Sequence, residues 1–90
     1  MLETVKLALR YRTSVFDSEI QTYINACLND LKAVDVSTDN EDETITSTCI
    51  SYCKWQLNFQ DKGETWEKIY KNQKTALVLD SRYRCTESVG

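Results

Sequence analysis

The chain contains no histidine and no proline, and only two of its 90 residues are glycine. Without histidine, neither a Ser-His nor a Cys-His nucleophile can form. Gly63 and Gly90 stand far apart, so the chain has no glycine-rich loop to hold a phosphate. Carboxylates are common, but none lies in an apolar stretch that would raise its pKa. The sequence therefore predicts a protein that is not an enzyme, with no catalytic residue and no cofactor.

The scarcity of proline and glycine also bears on the fold. A β domain with many turns needs these residues at its turns, whereas long helices do not. A chain of 90 residues is long enough for one domain. We therefore predict an all-α fold, a small irregular bundle of about four helices. A helical domain is expected to span residues 1–79, followed by a flexible C-terminal tail over residues 80–90.

Long apolar runs and excess positive charge are missing as well. No run approaches the roughly 20 apolar residues that cross a bilayer, and the first residues do not resemble a signal peptide. The formal net charge is −3, whereas a small protein that binds nucleic acid is usually basic. We expect a soluble intracellular protein that recognises neither membranes nor specific nucleic-acid sequences.

Apolar residues at helical spacing indicate where the four helices lie. The strongest pattern falls in the second helix, predicted over about Ser14–Lys32. The other helices are predicted over Leu2–Tyr11, Asp42–Asn58 and Glu64–Leu79. The residues expected in the core are Leu9, Ile20, Ile24, Leu28, Leu31, Ile45, Cys49, Tyr52, Ile69 and Leu77.

An acidic segment, Val34–Glu43, joins the second predicted helix to the third. Its carboxylates lack the spacing and the central glycine of an EF-hand calcium loop. They are better explained as an acidic loop that leads into a helix N-terminus, where negative charge is favourable. Thr38 and Glu41 have the spacing of a capping box for this helix. The acidic residues are Asp35, Asp39, Glu41, Asp42 and Glu43.

The four cysteines raise the question of a zinc site or a disulfide. Zinc sites usually combine two closely spaced pairs of ligands. Cys49 and Cys53 form such a pair on one helical face, but Cys27 and Cys85 stand alone. We therefore predict no metal and no structural disulfide. Cys27, Cys49 and Cys53 are expected to act as small apolar residues in the core.

Three groups of residues are candidates for partner binding. Trp55 falls at the edge of the inner face of the third helix, where it serves either as an interface anchor or as boundary packing. Lys68, Lys71 and Lys74 form a basic ridge that complements the acidic loop. The tail carries arginine and tyrosine, which are enriched at interfaces, although an ordinary disordered C-terminus is the alternative. These tail residues are Arg82, Tyr83 and Arg84.

The order of these features resembles the phage head–tail connector family of adaptor, or head-completion, proteins. The opening stretch Met1–Arg10 looks like the family's first helix, and Phe16-Asp17-Ser18-Glu19-Ile20 looks like the start of its second. Ile45–Tyr52 and Tyr70–Leu77 are similar to the third and closing helices. The resemblance covers about Leu2–Leu79. The cysteines and the acidic loop depart from the family pattern.

The resemblance implies a role in the neck of a tailed phage or prophage. Such proteins form a ring beneath the portal protein, extend the DNA channel and dock the next neck or tail completion protein. The implied location is the virion neck, with assembly in the host cytoplasm. The tail is then expected to order on the portal, for example by adding a strand to a sheet edge.

Two other classes of protein compete with this interpretation. A helix-turn-helix regulator needs a basic recognition helix, and the third predicted helix carries only Lys54. A small helical inhibitor or regulatory module that binds one protein partner is compatible with the same pattern.

Overall fold

Four α-helices make up most of the chain: α1 (Leu2–Leu9), α2 (Asp17–Lys32), α3 (Glu43–Gln56) and α4 (Gly63–Leu79). Short 3₁₀ turns follow α3 and α4. The structure, a computed structural model, describes residues 1–39 and 41–84. Over these residues the only β pairing is a single bridge between Val36 and Arg84, and no helix is long and apolar enough to cross a membrane. The predicted all-α fold with four helices is confirmed.

The central element is α3, which packs against α1, α2 and α4. Small side chains on α3 allow this close approach. Thr48 and Ser51 are buried, and each hydroxyl donates a hydrogen bond to the backbone carbonyl four residues earlier, at 2.8 and 3.3 Å. Their polar groups are therefore satisfied within α3 itself, so burying them carries little penalty.

The core consists of two adjoining clusters that follow one another along α3. One cluster joins the end of α2 to the first half of α3 and to α4, and the other joins α1 to the first half of α2 and to Cys53 near the end of α3. The first contains Cys27, Leu31, Val36, Ile45, Cys49, Tyr70 and Leu77. The second contains Val5, Leu9, Ile20, Ile24 and Cys53.

Most of the predicted core residues are buried, with three exceptions. Leu28, Tyr52 and Ile69 are only partly buried, because they lie at the edges of the inner faces of their helices. Val36 is buried although it was predicted in the acidic loop.

Three cysteines lie in the core, where the sequence predicted that they would pack as small apolar residues. Cys27, Cys49 and Cys53 are all fully buried. Burial raises the pKa of the Cys53 thiol to about 12, so it stays protonated at neutral pH. Cys85 lies outside the described residues.

Both α1 and α2 end in a Schellman turn whose left-handed residue is not glycine. After α1, Tyr11 N donates to Lys6 O at 3.0 Å and Arg10 N donates to Leu7 O at 3.1 Å, which is the Schellman pattern of helix termination. After α2, Val36 N and Asp35 N repeat it with carbonyls of the last turn. The pattern requires a left-handed residue, and φ is 63° at both Arg10 and Asp35. Because Arg10 is neither glycine nor asparagine, the sequence did not reveal this stop, and α1 ends earlier than predicted, whereas α2 ends at Lys32 as predicted.

The start of α3 is capped by Asp42, whose Oδ1 accepts a hydrogen bond from Ile45 N at 3.0 Å. The capping box predicted from Thr38 and Glu41 is therefore wrong, because the helix begins at Glu43. Similarly, α2 begins at Asp17 rather than near Ser14.

The segment after α4 packs back onto the fold. Residues Ser81–Tyr83 form a 3₁₀ turn, and the Tyr83 carbonyl accepts a hydrogen bond from Ser37 N. The flexible tail was predicted to begin at Asp80, but backbone contacts hold the chain against the loop before α3 as far as Arg84. Residues 85–90 of that predicted tail lie outside the described residues.

Candidate functional site

A groove of about 680 Å³ opens where α2, α3 and α4 meet. We call it the aromatic–lysine groove. Three aromatic rings form its floor, and polar and charged groups form its rim. The lining residues are Ala26, Asn29, Asp30, Tyr52, Trp55, Tyr70, Lys71 and Lys74.

The floor is a cluster of three mutually touching rings. Tyr52 packs edge-on against Trp55 and Tyr70, with centroids 5.6 and 5.1 Å apart. Trp55 and Tyr70 complete the triangle at 5.9 Å. Tyr70 is almost fully buried, whereas Tyr52 and Trp55 are partly exposed. The groove therefore offers rigid aromatic surface that is fixed before any partner arrives.

Asp30 sets the charge on the rim of the groove. Its Oδ2 accepts a hydrogen bond from the Tyr70 hydroxyl at 2.6 Å and another from Lys74 Nζ at 2.9 Å. These bonds, that of Tyr70 first, hold the pKa of the Asp30 carboxyl below its ordinary value. The carboxylate is thus ionised at neutral pH and fixes both α4 side chains against α2.

The three predicted lysines do not share one environment. Lys71 and Lys74 line the groove, and Lys71 Nζ lies 6.0 Å from the centre of the Trp55 ring. Lys71 is paired with Glu67 at 2.8 Å, and Lys74 is paired with Asp30. Lys68 is exposed and does not line the groove. Two of the three ridge lysines therefore already have a carboxylate within the chain.

The predicted tail residues lie on a different part of the surface, against the loop before α3. Arg82 is paired with Asp80 at 2.7 Å. The Tyr83 hydroxyl donates to Asp42 Oδ2 at 2.6 Å, and Arg84 forms the backbone bridge with Val36. The structure thus groups Arg82, Tyr83 and Arg84 together but does not join them to the groove lining.

A second candidate surface, the α1–α2 corner, did not emerge from the sequence. Leu7 and Val15 are 78% and 76% exposed. The rings of Tyr11 and Phe16 lie in tilted contact with their centres 5.4 Å apart, and Arg10 and Arg12 line a small pocket beside Leu7. The sequence did contain one indication of this surface, because Leu7 lies off the apolar stripe of α1. Contiguous exposed apolar side chains on a small protein usually mark an interaction site.

Among residues 1–39 and 41–84, no three His, Cys, Asp or Glu side chains come together as a metal site would require. The groove and the corner both combine aromatic or aliphatic area with cations, a composition typical of protein interfaces.

Comparison with known families agrees with the resemblance seen in the sequence. The family model described as phage connector protein matches residues 1–84. No curated protein and no solved structure matches the chain. The match covers all four helices and the segment that packs behind them. The chain therefore belongs to the phage connector protein family.

Proposed function

We propose that this chain is a structural subunit of the virion neck, which assembles in the host cytoplasm as a ring beneath the portal. In this role it extends the DNA channel and docks the next neck or tail completion protein. The observation that carries the proposal is the family match over residues 1–84, which spans the whole described fold. The family has a structural role, and the surfaces described above suit protein contacts.

A ring needs two different faces on each subunit, one for each neighbour. The structure has surfaces of suitable character on two sides of α3. Tyr52 and Trp55 of α3 line the aromatic–lysine groove, while an acidic hollow of about 440 Å³ is lined by Glu43, Thr46 and Ile50 of the same segment. At 100° per residue these two sets point about 180° apart around the helix axis. One subunit can therefore contact neighbours on both sides at once.

We propose that the aromatic–lysine groove binds a side chain of another neck protein. Its floor is rigid, and Trp55 combines a large apolar area with partial exposure. Tryptophan in such a position is the residue type most often found to dominate binding energy. Lys71 and Lys74 stand at the rim, where they are already paired with Glu67 and Asp30.

The C-terminal segment, residues 80–90, is proposed to dock on the portal. Within it, Arg82 and Tyr83 are engaged by Asp80 and Asp42. Arg84 is exposed and forms no ion pair among the described residues, so its side chain is available to a partner. The remaining residues of the proposed docking segment, 85–90, lie outside the described part.

The test is binding to the purified portal protein of the same phage, measured on a surface-immobilised portal. We expect the wild-type chain to bind, Trp55→Ala to bind more weakly, and a chain that ends at Arg84 to bind more weakly. Trp66→Ala serves as the control, because it truncates a tryptophan outside the groove. Circular dichroism verifies that each variant is helical. A folded wild-type chain that does not bind the portal contradicts the proposed portal contact.

A further inference from the structure

Two charged residues of opposite sign occupy equivalent strained positions. Arg10 follows α1 and Asp35 follows α2, each as the left-handed residue of a Schellman turn with φ of 63°. Glycine is usual at this position because an L side chain is unfavourable there. Both side chains are exposed, so neither is retained for packing in the core.

Neither charge forms an ion pair within the part of the chain that the structure describes. The ion pairs among the described residues use other cations, and neither Arg10 nor Asp35 takes part in any of them. Arg10 lies near another cation, since the pKa of Lys54 is lowered by burial and then by the charge of Arg10. Asp35 follows the C-terminus of α2, where the helix dipole disfavours an anion.

Each charge stands beside an exposed aliphatic side chain. Leu7, three residues before Arg10, is 78% exposed, and Val34, next to Asp35, is 37% exposed. One surface therefore presents a cation with an aliphatic side chain, and the other presents an anion with an aliphatic side chain. The two are complementary in charge and alike in apolar character.

The two surfaces lie at opposite ends of α3. Leu9, next to Arg10, packs with Cys53 in the last turn of α3, whereas Val36, next to Asp35, packs with Ile45 in its first turn. An α-helix of 14 residues is about 21 Å long, so the two charges cannot meet within one molecule. They can meet between two copies arranged head to tail.

We infer that Arg10 of one copy pairs with Asp35 of a second copy, with Leu7 of the first packed beside Val34 of the second. This inference rests on the self-association proposed above and adds a contact to it, outside the aromatic–lysine groove and the acidic hollow. A nucleic acid fits the corner less well, because Leu7 and Val15 add nothing to phosphate binding and the net charge is −3. The lysine ridge, in contrast, has two of its three charges paired internally.

The experiment exchanges the two residues. Arg10→Asp and Asp35→Arg are made singly and together, and self-association is measured by sedimentation equilibrium up to about 1 mM protein. Each single variant places like charges opposite each other and should weaken association roughly tenfold. The double variant has reversed but complementary charges and the wild-type net charge, so it should recover association. Lys62→Asp is the control, because it changes the net charge as Arg10→Asp does at an exposed site outside both surfaces.

Recovery in the double variant, with association of the control unchanged, supports the contact. If the wild type associates and the single variants associate equally well, this contact is excluded while the proposed ring stands. If only the binding of the portal or another neck protein responds to Arg10→Asp, the occupant of the corner is that protein and not a second copy. A wild type that stays monomeric at about 1 mM also overturns the contact, whereas the neck role is judged separately by portal binding.

Discussion

The Tyr83 hydroxyl donates a hydrogen bond of 2.6 Å to Oδ2 of Asp42, while Oδ1 of the same carboxylate caps α3 by accepting from Ile45 N. One side chain thus joins the segment after α4 to the first turn of the central helix. The two residues are 41 positions apart in the sequence. This link closes the fold at the end where the acidic loop enters α3.

Removing the hydroxyl should loosen this closure. Tyr83→Phe keeps the ring, which packs against the core cluster of α2, α3 and α4, but leaves one oxygen of Asp42 without its donor. We expect the melting temperature to fall by a few degrees. Tyr23→Phe is the matched control, because its hydroxyl makes only a long, exposed contact of 3.4 Å with Glu19. Equal melting temperatures for Tyr83→Phe and wild type would show that the bond contributes nothing.

The same bond predicts a dependence on pH. The hydrogen bond from Tyr83, followed by that of Ile45 N, lowers the pKa of Asp42 below its ordinary value of 3.8. A carboxyl whose pKa is depressed on folding stabilises the fold above its unfolded pKa, and this contribution is lost as the pH falls through the folded value. The difference in stability between wild type and Tyr83→Phe should therefore be full at neutral pH and shrink below about pH 4. Urea unfolding of both proteins at several pH values measures it, and a difference that grows on acidification contradicts the assignment.

Shortening a side chain in the core should lower the stability of the protein strongly. Ile24 is 1% exposed and packs in the cluster that joins α1 to α2. Ile24→Ala should lower the free energy of unfolding by about 2–5 kcal/mol, because it removes buried methyl groups and leaves a cavity. Leu79→Ala, at a side chain that is 75% exposed, should change it by less than about 0.5 kcal/mol. Chemical denaturation of the two variants makes the comparison, and similar losses would show that the buried face is misassigned.

Relief of the strained turn after α2 should stabilise the protein. Asp35→Gly removes the side chain that makes the left-handed conformation unfavourable. It also removes an anion from the C-terminal end of α2. We expect a gain of roughly 0.5–1 kcal/mol in the free energy of unfolding, after allowing for the greater freedom of glycine in the unfolded chain. Asp35→Ala should give no such gain, since alanine keeps the unfavourable φ. A less stable Asp35→Gly would mean that the aspartate makes a favourable contact within the fold.

The sequence predicted the helices well where apolar spacing alone decides the structure. The stripe of α2, with Ile20, Ile24 and Leu31, is buried as its period indicates. The end of α1 was less predictable, because Arg10 occupies a turn where glycine is usual. A pattern that relies on glycine as a stop signal cannot identify this turn, although the end of α2 at Lys32 was predicted correctly.

The candidate surfaces were predictable only in part. Trp55 was identified as a candidate interface residue from its angle on α3. The structure places it in one groove with Lys71 and Lys74. The contribution of Asp30 depends on its approach to α4, which no local pattern reveals. The docking of Tyr83 is likewise a contact between distant parts of the chain. Such contacts follow from packing and not from the spacing of neighbouring residues.

Electron microscopy of the purified portal, alone and mixed with this chain, tests the proposed neck role most directly. We expect additional symmetric density that corresponds to a closed ring of copies of this chain, beneath the portal and around the continued DNA channel. The chain should bind in a fixed number of copies per portal, as measured by native mass spectrometry. A portal whose image and mass do not change in the presence of the folded chain would contradict the central claim.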